Sequence, residues 1–189
     1  NGLIFVQDVH QGLTGIPASP VKRLRIVAVV PKVQPRMNQP CLGVSSEETG
    51  KYVLGTVPVE PDGSAMFRIP AKTPISVQPL DEEGKAMQLM RSWMTAMPGE
   101  SLSCVGCHED HNSSPPAVAP LATRYKPLDL EPWRGPVRGF SFERELQPVL
   151  DKYCISCHDG SIKDSRARMT IGSGHKTNTR PPEGMKIPA

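Results

Sequence analysis

The chain has 189 residues, enough for one large domain or two small ones, and 22 Lys and Arg nearly balance 19 Asp and Glu for a net charge of +3. No Lys or Arg run offers a footprint for nucleic acid, and no stretch approaches the roughly 18 apolar residues of a membrane helix, so neither partner class is expected. Aromatics make up 5% and prolines 21 of the residues, so the conventional core should be thin and something else should supply buried apolar area.

The opening run Asn1-Gly2-Leu3-Ile4-Phe5-Val6 reads as a strand, followed by a turn region with Gly12, Gly15, Pro17 and Pro20. No leader precedes it, which suggests a trimmed product or a piece of a longer polypeptide. Val21 to Val30 is a second strand rich in β-branched residues, closed by Pro31, and Lys51 to Val59 is a third. Asp62-Gly63 marks a hairpin turn into Ala65 to Ile69. Ile75 to Leu80 follows, ended by Asp81-Glu82-Glu83-Gly84. Short strands at this spacing predict an antiparallel β-sandwich-like domain.

Met87, Met90, Met94 and Met97 recur at helical intervals, but the segment fits a strand as well, and core packing is the plain reading for these side chains. Prolines 115, 116, 120, 127, 132 and 136 make residues 113–139 a linker. Residues 140–158 predict a helix: Ser141 caps it, Glu143 and Glu145 lie in its first turn, and Leu146, Val149 and Leu150 share a face. Pro148 within that pattern predicts a kink or a late start. The organisation is therefore mainly β over residues 1–112, a Pro-rich linker over 113–139, and a small loop-rich helical segment of cytochrome c type over 140–189.

That last assignment comes from the cysteines. Four of the five sit in two copies of C-x-x-C-H: Cys104, Cys107 and His108, then Cys154, Cys157 and His158. In this motif two thiols add to the two vinyl groups of haem and the following imidazole reaches the iron from one face. A zinc site would need all four thiolates close together and would leave both histidines idle. A thioredoxin-like redox pair needs a βαβ setting that the pattern does not offer. Two C-x-x-C disulfides would be strained. Two covalent haem c groups are therefore expected, one at the C-terminal end of the β-rich region 1–112 and one in the cytochrome c-like segment 140–189, with His108 and His158 as proximal iron ligands. Covalent haem attachment occurs outside the cytoplasm, so an exported, periplasmic location is expected.

Three histidines remain as candidate distal ligands, in the order His10, His175 and His111. His111 follows His108 by three residues and is poorly placed for the opposite face of its own haem, whereas His10 and His175 are far enough away in sequence to fold over one. Methionine ligands would raise the potential, and an open sixth position would mean small-ligand binding or catalysis. Cys41 is unpaired; a small buried apolar role is the plain reading, with metal ligation or an intermolecular disulfide as the others. No catalytic triad or paired-carboxylate site stands out.

The run Leu54 to Ala65 resembles the middle domain of the hydrazine synthase alpha subunit-like family. So do Met90-Arg91-Ser92-Trp93, the segment Pro98 to Glu109, the opening Val6 to Leu13, and Tyr153 to Gly160 around the second motif. The resemblance covers most of residues 3–160. It implies a β-rich domain with one haem c and a C-terminal domain with a bis-His haem c, without the family's β-propeller. In that family the first motif's histidine binds zinc and a tyrosine four residues later ligates iron. Here that position is Asn112, so iron ligation by His108 is expected instead, and hydrazine synthesis is not. By the resemblance the second haem is bis-His, with His158 proximal and His10 as the first choice opposite. The expected function is electron transfer by a dihaem c-type cytochrome, alone or with other redox subunits, as a homo-oligomer or in a larger multihaem assembly. A haem oxidoreductase subunit of hydrazine synthase-like type, holding a small nitrogen species at the first haem, is the alternative. A structural module stabilised by its haems is the third reading.

Overall fold

The computed structural model describes residues 1–13, 20–31, 49–108, 112, 118–139 and 141–154. It divides into two compact units, the first comprising Asn1–Val29 with Lys51–Val137 and the second Val30–Gly50 with Arg138–Ala189.

The first unit is built from β1 (Gly2–Val6), β2 (Arg23–Val29), β3 (Lys51–Pro58), β4 (Ala65–Ile69), β5 (Ile75–Leu80) and β6 (Ser101–Cys104). These form two three-stranded sheets, ordered β4-β1-β6 and β3-β2-β5. Strict alternation sets the first sheet: Gly2, Ile4 and Val6 of β1 and Ala65, Phe67 and Ile69 of β4 are buried, with the residues between them partly exposed. The two strands pair antiparallel with Ile4 opposite Phe67. In the second sheet β2 is central and antiparallel to both neighbours, and its register against β3 slips by one residue between Ile26 and Val27. The extra residue is Leu54 on β3, and on β2 itself Ile26, Val27 and Ala28 are buried in succession.

Inward residues of both sheets join in one core that includes Ile4, Phe67, Ile69, Leu24, Ile26, Val57 and Ile75. Each such side chain contributes about 1.5–3 kcal/mol by leaving water. The mainly β expectation and the layered arrangement both hold, with one departure: β6 runs parallel to β1, Leu102 beside Ile4 and Cys104 beside Val6.

Two segments differ from expectation. Residues 87–97 form neither helix nor strand. Their ends are tied to β5 instead, by Met87 N–H donating to Pro79 O (2.9 Å) and by the reciprocal bonds between Met94 and Ile75 (2.8 and 3.0 Å). The described part of the Pro-rich stretch packs on the sheets. A 3-10 turn at Leu121–Arg124 leads to Leu128, which bridges Phe67, and Glu131, which bridges Thr56. Arg68 donates to Pro127 O at 2.7 Å, and Arg23 pairs with Glu131. Each proline removes a donor but leaves its carbonyl free to pair, so a Pro-rich chain can still dock by its acceptors and by the N–H groups between.

In the second unit a wide π turn at Phe142–Leu146 precedes α1 (Gln147–Tyr153). Ser141 Oγ accepts from Arg144 N–H (3.3 Å), and Glu145 Oε2 accepts from Ser141 N–H (2.7 Å). Pro148 falls in the first turn of α1, where its missing N–H costs nothing, which is the late start. No residue of α1 is buried, and Val149 and Tyr153 are exposed. Among the described residues no helix is long and apolar enough to cross a membrane.

Candidate functional site

The parallel pairing of β6 with β1 positions the first C-x-x-C-H motif. The ladder continues past both strands: Gln7 N–H donates to Cys104 O (2.9 Å) and Asp8 N–H to Val105 O (3.0 Å). Gln11 O then receives Cys107 N–H at 3.0 Å and His108 N–H at 3.4 Å. The turn Cys104–His108 therefore sits on the loop Gln7–Gly12, backbone to backbone.

Two glycines permit this approach. Gly12 has φ +80°, and a Cβ there would lie 2.5 Å from both the Cβ and the carbonyl oxygen of His108. A Cβ on Gly106 would lie 2.5 Å from Gln11 Cβ and 2.6 Å from Gln11 O.

The loop is fixed from its other side. Val9 N–H donates to Gly63 O (2.8 Å), and Asp8 Oδ1 accepts from both His10 N–H and His10 Nδ1 at 3.0 Å. His10 Nε2 accepts from Val21 N–H at 3.3 Å, which makes Nδ1 the protonated nitrogen. Asp62 holds the hairpin below: Oδ1 takes Ser64 N–H and Oγ, and Oδ2 takes Leu121 N–H at 2.7 Å. Burial pushes the Asp62 carboxyl up, but these donors outweigh it and hold the group below its ordinary range. Two stretches far apart in sequence, Val6 to Leu13 and Leu54 to Ala65, thus share one task as the seat of the motif.

Above the seat lies a cavity of about 680 Å³, within the range of roughly 300–1,000 Å³ typical of cofactor pockets. Its floor is apolar: Ile4, Val6, Val9, Leu24, Val77 and Pro79 from three strands and the loop. Cys104, Cys107 and His108 form one wall. Five consecutive residues, Gln88 to Ser92, and then Met94 form another. The 87–94 segment explains this. Ile75 and Pro79, its anchors, are four residues apart on β5, or roughly 13 Å, while seven residues from Met87 to Met94 can reach roughly 24 Å. The slack bows the chain off the sheet into a strap over the cavity.

Met90 and Met94, read as core packing, line the cavity; Met94 also packs on the core, as does Met87. Gln88 lies with its amide nitrogen 3.5 Å from His108 Nε2, a neighbour without a sequence signal.

Burial, with the nearby Cys104 and Asp8, pushes the Cys107 thiol up to about 11, so it stays protonated at neutral pH. Cys104 and Cys107 are not joined in a disulfide. Two thiols and an imidazole on the wall of an apolar cavity of this size form a donor set that suits a porphyrin joined through two thioethers. Among the described residues no cluster of three or more His, Cys, Asp or Glu suits a bare metal ion.

In the second unit Cys154 closes α1, its N–H donating to Leu150 O at 2.8 Å, and it too is not joined in a disulfide. Cys157, His158, His111, His175 and Cys41 lie outside the described residues.

Comparisons with known proteins bear on this arrangement. Residues 19–109 match the family model described as the hydrazine synthase alpha subunit middle domain. The hydrazine synthase subunit alpha of Kuenenia stuttgartiensis is 23% identical over 218 aligned residues, covering 80% of this chain and 27% of that protein. The solved structure of Kuenenia stuttgartiensis hydrazine synthase superposes with a TM-score of 0.63 at 20% identity, covering 92% of this chain and 30% of that one. The chain thus spans under a third of the length of these relatives, and the structural likeness is one of fold. The matched span runs from ahead of β2 to one residue past His108, taking in the strap and the motif wall. Residues 19–109 are thus similar in sequence to the hydrazine synthase alpha subunit middle domain, and the chain shares its fold with part of that enzyme.

Proposed function

We propose that this chain is a dihaem c-type cytochrome that passes electrons through two covalently bound haems. The observation that carries the reading is the convergence of Cys104, Cys107 and His108 on one apolar cavity of about 680 Å³. A bound haem supplies a one-electron Fe(III)/Fe(II) couple, tuned by its axial ligands, its burial and hydrogen bonds around it.

The residues divide the work. Cys104 and Cys107 hold the first group by thioethers, and His108, next in the turn, supplies the proximal imidazole. Ile4, Val6, Val9 and Leu24 exclude water from its buried edge. The Gln7–Gly12 loop keeps the turn in register through the Gln11 carbonyl. Cys154, Cys157 and His158 hold the second group, and an apolar macrocycle would give the exposed Val149 and Tyr153 a surface to pack on.

His10 is the first candidate distal ligand, ahead of His175 and His111. Its Nδ1–H already donates to a carboxylate, Asp8, as metal-ligating histidines characteristically do, and ligation would exchange the long bond from Val21 N–H for iron. The reading places the protein outside the cytoplasm, with other redox proteins or subunits as partners, in a homo-oligomer or a larger multihaem assembly.

The kinship with hydrazine synthase favours a second reading, an oxidoreductase subunit whose first haem binds a small nitrogen species. Gln88, Arg91 and Ser92 give the cavity polar groups on the strap that such a ligand would need. Against it, Asn112 stands where the family places its iron-ligating tyrosine.

Intact-mass and peptide mass spectrometry of the exported protein test the main reading: two haem additions are expected, one on each C-x-x-C-H peptide. A colourless protein binding zinc at those thiols would refute it. Absorption and EPR spectra with added CO, NO or cyanide separate the two readings. Two low-spin haems that ignore these ligands support the carrier, and a high-spin haem that binds them supports the enzyme.

A further inference from the structure

The charge on the cavity wall points to a role for the strap. Among the described residues lining the cavity there is no Asp or Glu, and Arg91 is the one side chain that is charged at every physiological pH. Arg91 is exposed, at the middle of the arch between the anchors at Met87 and Met94. The other described arginines on the strands have partners. Arg23 pairs with Thr56 and Glu131, Arg25 with Gln78 and Trp133, and Arg68 with Pro127 O and Asp129. Among the described residues Arg91 has no such partner, and it lines the cavity from the strap.

Haem c is an amphipathic disc, apolar over most of its area and carrying two carboxylates on one edge. The cavity has the matching polarity, with apolar strands below and a single cation on the strap above. Once the vinyl edge is fixed at Cys104 and Cys107, the carboxylate edge points away from the thiols. We propose that Arg91 receives a propionate carboxylate of the first haem by charge-assisted hydrogen bonds, closing the strap over the group and raising its reduction potential by offsetting negative charge near the iron. No bond is made or broken beyond these hydrogen bonds. The assignment rests on the dihaem reading, and it makes Arg91 a positioning residue.

The test is a charge-graded series in the full holoprotein: Arg91→Lys, Arg91→Gln and Arg91→Glu, with Arg124→Gln as an exposed control on the 3-10 turn. Peptide mass spectrometry first establishes haem on the Cys104–Cys107 peptide in each. Spectroelectrochemical titration then reads the component that is missing from a Cys104→Ser/Cys107→Ser double variant.

The expected order of first-haem potentials is wild type, then Lys, then Gln, then Glu. At a fixed potential the reduced-to-oxidised ratio in Arg91→Gln falls by about threefold to tenfold, and the difference shrinks as salt rises. The second haem and the Arg124→Gln variant stay unchanged. A purely structural strap residue would not give an order that follows charge. Equal potentials across the Arg91 series, or an equal shift in Arg124→Gln, overturn the assignment while leaving the cytochrome reading intact. Absence of haem on the Cys104–Cys107 peptide of the wild type overturns the cytochrome reading itself, and this assignment with it.

Discussion

Replacing Gly12 by alanine tests whether the Gln7–Gly12 loop is the seat of the first motif. Gly12 sits at φ +80°, so any side chain there pays about 1–2 kcal/mol for the left-handed backbone alone. The new Cβ would also lie 2.5 Å from His108 Cβ, 2.5 Å from His108 O and 2.8 Å from His108 Cα. These atoms are backbone or bonded directly to it, so no rotamer change relieves the overlap, and overpacking of this kind costs about 1–3 kcal/mol more. Gly99 is the matched control: its φ is +78°, and a Cβ there meets nothing within 4 Å. Gly99→Ala should lose the backbone cost only. With a urea slope of about 2 kcal/mol per molar, the unfolding midpoint of haem-free Gly12→Ala should fall about 0.5–1.5 M below that of Gly99→Ala. If the motif yields instead of the fold, the loss appears as reduced haem on the Cys104–Cys107 peptide by mass spectrometry. Equal urea midpoints and equal haem yields in the two variants would refute the seat.

Three further outcomes follow from the same geometry. In the haem-free protein, peptide-resolved iodoacetamide labelling of Cys107 should reach half its maximal rate near pH 11, against about 8.5 for an ordinary thiol; half-maximal labelling near the ordinary value would show the thiol is not buried. The unfolded thiol ionises first, so this group lowers stability as pH rises between those two values. Asp62→Asn should cost about 1 kcal/mol at neutral pH, a figure kept small by the group's exposure. It should also flatten the acid limb, because the Asp62 carboxyl lies below its ordinary range and its contribution, full above the unfolded value, is lost as pH falls through the lowered one. A urea midpoint measured from pH 2 to 6 that keeps its wild-type slope in the variant would contradict this. His10→Gln should convert one haem from six-coordinate low-spin to a form that binds CO, seen by absorption and EPR, and two haems that stay low-spin would remove His10 from the ligand set.

How much of this was legible in the sequence depended on the range of the interactions. Strands β4 and β5 were readable to the residue, and β1, β2 and β3 to within about two, because alternation and turn residues such as Asp62-Gly63 are local signals. Strand β6 was not: Ser101-Leu102-Ser103-Cys104 has a single large apolar side chain, and it is extended because the free edge of β1 accepts it. The methionine spacing at 87, 90, 94 and 97 satisfied two periodicities and produced neither, since the segment is shaped by its anchors on β5 rather than by its own pattern. Proline content suggested a linker where Leu128 and Glu131 bridge the sheets, because composition reports missing donors and says nothing of carbonyls that find partners.

The site divides along the same line. C-x-x-C-H is a complete local signal, since the chemistry itself fixes the spacing of its thiols and imidazole. The seat and the strap have no local signal at all. Nothing in Gln7 to Gly12 announces that Gln11 O will hold two N–H groups of a turn nearly a hundred residues later, nor that Gln88 will stand beside His108. What the sequence did offer was a resemblance in which Val6 to Leu13, Leu54 to Ala65, Met90 to Trp93 and Pro98 to Glu109 stood out as separate blocks. In the fold they are neighbours: the loop, the hairpin that fixes the loop, the arch of the strap, and the motif that the other three enclose. Three of the four blocks line one cavity, and the fourth, Leu54 to Ala65, braces the loop of the first through the bond from Val9 N–H to Gly63 O. The cavity they enclose, rather than the sheets that carry it, is what a substitution in any of the blocks should be expected to disturb.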